Sequence, residues 1–96
     1  MQLIFSPLAE ADLEDIADFI ARDNPKRALS FVSEIRSACL KIKRNPRVAP
    51  MRSELGEGIR MWSHKHYLIF FTVDATSLRV ERILHGARHI RAVFDS

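Results

Sequence analysis

The chain has 96 residues, about the length of one small domain and too short for two independent cores. Its 47% hydrophobic and 28% charged residues are ordinary for a globular protein and argue against disorder, and the one cysteine, Cys39, excludes an intramolecular disulfide. The net charge of +3 hides an asymmetry: residues 1–23 hold six carboxylates against Arg22, whereas residues 24–52 hold eight basic side chains against Glu34 alone.

Gln2 to Phe5 reads as a first strand. It has no basic segment before it, and the apolar run stops at Ser6-Pro7, so no export signal is read and a cytoplasmic protein without membrane contact is expected. Ser6-Pro7 has the form of a helix cap followed by proline in the first turn. Ala9, Leu13, Ile16, Ala17 and Ile20 then recur at helical spacing, which predicts a helix over about residues 7–22. Asn24-Pro25 starts a second helix with the stripe Ala28, Phe31, Val32, Ile35, Ala38, Cys39 and Ile42, ending before Asn45-Pro46. So short a break makes the two helices an antiparallel pair. Cys39 falls within the stripe and reads as a core residue.

After Gly56-Glu57-Gly58 the period changes. Ile59–His64, Tyr67–Val73 and Leu78–Leu84 read as three strands joined by short turns, an antiparallel meander. The expected fold is α+β over residues 1–96 as a single domain: an N-terminal strand, then an antiparallel helical hairpin packed on a three- to four-stranded, mainly antiparallel sheet. In the strand Tyr67–Val73, Leu68 and Phe70 point one way while Tyr67, Ile69, Phe71 and Val73 point the other. Both faces are apolar, and one helical hairpin covers only one of them. Either the C-terminal segment folds over the second face or a partner does.

Chemistry-bearing motifs are scarce. There is no nucleophile elbow, phosphate loop or dinucleotide fingerprint. His64 and His66 form an H-x-H pair on one side of an extended strand, but no further ligand completes a metal site; His85 and His89 read as strand-end residues. No catalytic residue, metal or cofactor is assigned. What remains is arginine on or near the sheet: Arg60, Arg82, Arg88 and Arg91. Arginines stabilise phosphate charge, yet strand cleavage also needs an acid or base of suitable pKa.

Several segments together resemble the ParE branch of the ParE/RelE toxin superfamily. These are A-D-L-E-D-I-A-D-F-I (11–20), N-P-K-R-A (24–28), N-P (45–46), E-L-G-E-G-I-R (54–60), H-Y-L-I-F-F (66–71) and R-I-L-H-G-A-R-H-I (82–90). The resemblance runs over nearly the whole chain in the family's order. It implies the toxin of a type II toxin–antitoxin pair, associated with plasmid stabilisation and growth inhibition, which inhibits DNA gyrase and so replication by binding. It also implies a cognate ParD-like antitoxin with a ribbon-helix-helix part. Operator DNA would then be met only through that antitoxin.

The alternative is a RelE-like mRNA endonuclease working on the ribosome. Such relatives use a K-x-K pair, an arginine after the tyrosine of the next strand, and a C-terminal tyrosine. Here those positions read Arg60-Met61-Trp62, Leu68 and Phe94, with Arg88 remaining. The departures favour ParE and a protein that is not an enzyme. A target-binding set of Arg60, Arg82, Arg88 and Arg91 is expected, Arg88 alternatively pairing with Glu54 or Glu81. An acidic or amphipathic antitoxin segment is expected on Trp62, Tyr67, Ile69 and Phe71, flanked by Arg36 and Lys43.

Overall fold

The path of the chain was obtained as a computed structural model, which describes residues 1–87 and 90–95. A short strand, β1 (Gln2–Phe5), ends at Ser6, whose hydroxyl oxygen accepts from the Ala9 amide at 3.0 Å and caps helix α1 (Pro7–Ala21). The same hydroxyl donates to the Glu81 carbonyl at 2.7 Å, so the cap also pins the helix to the sheet. Asn24 caps α2 (Pro25–Arg44) through its side-chain oxygen, and both helices carry proline in the first turn, where its missing N–H costs nothing. Lys41, Lys43 and Arg44 close α2 on the side where its dipole favours cations.

Two short 3-10 turns, Pro46–Val48 and Ser53–Leu55, lead into β2 (Arg60–His64), β3 (Tyr67–Val73) and β4 (Ser77–His85), and a six-residue helix α3 (Ile90–Asp95) follows. The sheet order is β1-β4-β3-β2, with β1 parallel to β4 and the other pairs antiparallel. The register slips between Phe70 and Phe71, which face Arg82 and Val80, leaving Glu81 as a bulged residue in β4. The Thr72 hydroxyl donates to its carboxylate at 2.8 Å.

β1 reaches only as far as Phe5 beside Val80. Past that point β4 would present unpaired backbone groups, an arrangement a buried sheet does not tolerate. α1 takes over. Besides the bond from the Ser6 hydroxyl, Asp12 accepts from the Ile83 amide at 3.0 Å. The N-terminal helix therefore acts as the continuation of the short edge strand.

The main core lies between the hairpin and the sheet. Leu13, Phe31, Ile35, Cys39 and Ile42 from the helices meet Ile69, Phe71, Leu78, Val80 and Ile83 from the strands. Each such side chain contributes about 1.5–3 kcal/mol on leaving water. A smaller cluster on the opposite face joins Leu55, Ile59, Phe70 and Leu84 to Leu68, Ile90, Val93 and Phe94. Of the two expected covers for the second face, the C-terminal segment supplies this one. The face itself is the reverse of the one assigned to a partner: Ile69 and Phe71 are completely buried under the helices, while Leu68 and Phe70 turn to α3. No helix among the described residues is long and apolar enough to cross a membrane.

Candidate functional site

The helices lean toward the β1–β4 side of the sheet, so β2 overhangs as an edge strand with α2 beside it. Between them runs a groove of about 510 Å³ lined by Ser33, Glu34, Ser37, Ala38, Lys41, Ile42, Val48, Trp62 and His64. Trp62 pairs with Ile69 and so projects to the hairpin side, yet no helix reaches far enough to cover it, and it stays 38% exposed. Val48, 56% exposed, forms the other apolar wall. The outer edge of β2 is taken at its start, where Met51 bridges Arg60 and the Met61 amide donates to the Pro50 carbonyl at 3.0 Å; its far end, from Trp62 to His64, borders the same groove, and an unpaired strand edge is a template for another chain.

Glu34 stands on the helix side of this groove and draws Arg27, Lys65 and the His64 imidazole to it. Arg27 hydrogen-bonds it from two turns earlier in α2, His64 Nε2 lies 3.0 Å from its carboxylate, and Lys65 Nζ lies at 3.1 Å. The bond from Arg27, then those from His64 and Lys65, hold its carboxyl down at about 2. The cluster ties α2 to the β2–β3 turn, where Lys65 takes a left-handed conformation uncommon for a side-chain-bearing residue. Glu34 was missed in the sequence, although it is the single carboxylate in the basic stretch 24–52.

The expected site residues scatter. Tyr67 is half-buried, edge-on to Phe31 at 5.0 Å and to His85 at 5.2 Å, away from the groove. Ile69 and Phe71 offer no surface to a partner, because the hairpin occupies their face. Arg36 braces the hairpin: it lies over the Phe5 ring at 4.9 Å and 3.6 Å from Glu10. Lys43 is half-buried in the last turn of α2.

Among the arginines assigned to a target, Arg82 forks onto Asp12 with bonds of 2.7 and 2.8 Å, and this raises its already high pKa. Arg60 donates to the Ala49 carbonyl at 2.7 Å and holds the 46–49 turn against β2. Both therefore act first as internal struts. Arg91 is exposed at the start of α3. It helps lower the Glu54 carboxyl, which is held down mainly by a hydrogen bond from Arg52. Arg88 and His89 lie outside the described residues.

The H-x-H pair separates. His64 turns to Phe31 and Glu34, whereas His66 stacks on His85 with ring centroids 6.2 Å apart, because the two-residue turn at Lys65-His66 breaks the strand between them. Among the described residues no three His, Cys, Asp or Glu side chains converge on a metal position. Cys39 is fully buried and its thiol is pushed up to about 12 by burial.

The architecture and the sequence both match a known group. The family model described as "ParE toxin of type II toxin-antitoxin system, parDE" matches residues 3–90. This chain belongs to the ParE toxin family. Among solved structures, the ParE fold here is similar to a chain from the "Chromosomal ParDE TA system from P. aeruginosa", with a TM-score of 0.74 and 23% sequence identity. That match covers 88% of this chain and 95% of the other. No curated protein matches this ParE sequence significantly.

Proposed function

We propose that this ParE toxin inhibits DNA gyrase, and so replication, by binding rather than by chemistry, in the cytoplasm where gyrase works. The observation that carries the reading is the fate of the positions at which mRNA-cleaving relatives keep a proton donor and phosphate clamps. Trp62 and Leu68 are apolar, and the Phe94 ring packs edge-on to Phe70 at 4.9 Å inside the second cluster. A phenyl group has no proton to move.

A cognate antitoxin of the ParD kind neutralises the toxin, and its acidic or amphipathic segment lies in the α2–β2 groove. Trp62 and Val48 serve as anchors, Lys41 supplies the charge that draws the segment in, and the Trp62–His64 end of the β2 edge offers backbone pairing. The operator's base sequence is read through the antitoxin.

Purified toxin assayed for gyrase supercoiling, beside ribosome-dependent mRNA cleavage, decides between the two modes. Supercoiling falls and mRNA stays intact if the reading holds. Cleaved mRNA with supercoiling unchanged assigns the protein to the nuclease branch.

A further inference from the structure

The end of α2, the following 3-10 turn, the start of β2 and the β3–β4 turn line a half-open cavity of about 660 Å³. Arg44, Arg47 and Arg60 all line it. Five other arginines of the chain have carboxylate partners: Arg27 with Glu34, Arg36 with Glu10, Arg52 with Glu54, Arg79 with Glu81 and Arg82 with Asp12. Among the described residues none of the three cavity arginines has such a partner within ion-pair distance.

Arg60 is held in place by one nitrogen, Nη1, on the carbonyls of Ala49 and Arg47, which leaves the rest of its fork uncommitted to them. Asp74 is the one carboxylate in the lining, and it is turned onto its own loop. It accepts from the amides of Thr76 and Ser77, each at 2.8 Å, and from both hydroxyls. Its charge subtracts from the field of the cavity; four of these bonds fall on Oδ1, and Oδ2 accepts from the Ser77 hydroxyl at 3.3 Å. Three guanidinium groups around one hollow repel each other unless an anion joins them.

We propose that this cavity binds the phosphate backbone of a nucleic acid strand, giving the toxin a direct polynucleotide contact of its own. Guanidinium forks match phosphate oxygens, and a strand brings one charge per nucleotide at regular spacing, which suits several arginines around a single hollow. A peptide would need clustered carboxylates to do the same. The exposed rim residues Met51 and Val73 give sugars and bases an apolar surface to lie on. The contact does not depend on which enzyme the toxin blocks, and it differs from the groove assigned to the antitoxin.

The test is fluorescence anisotropy of purified toxin with short labelled duplex DNA, single-stranded DNA and single-stranded RNA, titrated over a range of salt. Three phosphate contacts predict that duplex affinity falls about forty-fold between about 50 and about 200 mM salt, and about eighteen-fold for a single strand. The double variant Arg44→Ala/Arg47→Ala should reduce the duplex fall to about three- to four-fold. The double variant Arg36→Ala/Arg79→Ala, which removes the same charge elsewhere, should retain the wild-type salt dependence. Comparison of the three oligonucleotides identifies which strand form fits the cavity.

Equal losses in the two double variants would reduce the binding to diffuse attraction and overturn the proposal. So would the absence of oligonucleotide binding at low salt. Capture of a fluorescent poly-glutamate peptide that the oligonucleotides fail to displace would make the cavity a peptide site instead. Thermal melts of both variants keep these outcomes separate from unfolding.

Discussion

Replacing Arg82 by alanine removes the strut that joins α1 to β4. Its guanidinium bonds both oxygens of Asp12, and the two side chains are only 19% and 10% exposed. Without it the Asp12 carboxylate remains in a largely dry position with the Ile83 amide as its remaining donor at hydrogen-bond distance. Breaking a fully buried pair costs about 3–5 kcal/mol, whereas a surface pair contributes about 0–1 kcal/mol. With Arg82 about one-fifth exposed, the expected loss lies between these limits, about 2–3 kcal/mol. In a domain of this length each kcal/mol moves Tm by roughly 4–8 °C, so a fall of roughly 10–20 °C is expected.

Asp12→Ala should cost at least as much, because it strands both the guanidinium and the Ile83 amide. Asp12→Asn retains an acceptor and should cost less. The double variant Asp12→Ala/Arg82→Ala should lose less than the sum of the single losses. Melting followed by circular dichroism, with growth inhibition measured in parallel, gives the order. An Arg82→Ala protein that melts within a few degrees of wild type but no longer inhibits growth would refute the strut argument and return Arg82 to the target surface.

Glu34 has its ordinary value of 4.5 in the unfolded chain and about 2 in the fold, so its contribution to stability is complete above pH 4.5 and disappears as pH falls toward 2. Glu34→Gln should therefore flatten the stability profile in that window, as read from urea midpoints; an unchanged acid limb would mean the hydrogen bonds from Arg27, His64 and Lys65 do not favour the charged form. Trp62→Glu should leave Tm within a few degrees of wild type and weaken antitoxin binding about thirty-fold or more by calorimetry, as for a central anchor. Wild-type affinity in that variant would place the antitoxin elsewhere. Cys39, buried and with its thiol pushed up to about 12, should resist iodoacetamide at pH 8 in the native protein and react only after denaturation; rapid labelling of the folded protein would show that the hairpin opens.

The local signals of the fold were strong where one residue type had one task. Ser6-Pro7 and Asn24-Pro25 mark both helix starts, and the β3 range Tyr67–Val73 agrees with the reading from β-branched and aromatic density. Which face of β3 the helices cover was not legible, since alternation separates two apolar faces without ranking them. The ranking comes from Ser6 and Asp12 docking α1 on the edge of β4, contacts spanning 70 or more residues of chain. α3 is too short for a period to show, so its cover over Phe70 was only one of two alternatives. In the candidate groove, Trp62 was legible as an apolar residue on a polar-flanked strand. Arg60 and Arg82 were not: the residue type announces a charge, and only the fold reveals whether a carbonyl or a carboxylate already holds it.

The pairing of β1 with β4 also governs when the protein comes into being. β1 is made before the hairpin, but its strand partner, Ser77–Val80, is made 75 residues later. Translation at about 5–20 residues per second leaves the helical hairpin for several seconds without the sheet that buries its stripe. Its apolar side then faces solvent or whatever chain is nearby, and closure waits for contacts between residues 75 apart in the chain. Until β4 is made, the hairpin of a nascent chain presents to any helper a face that the finished molecule conceals.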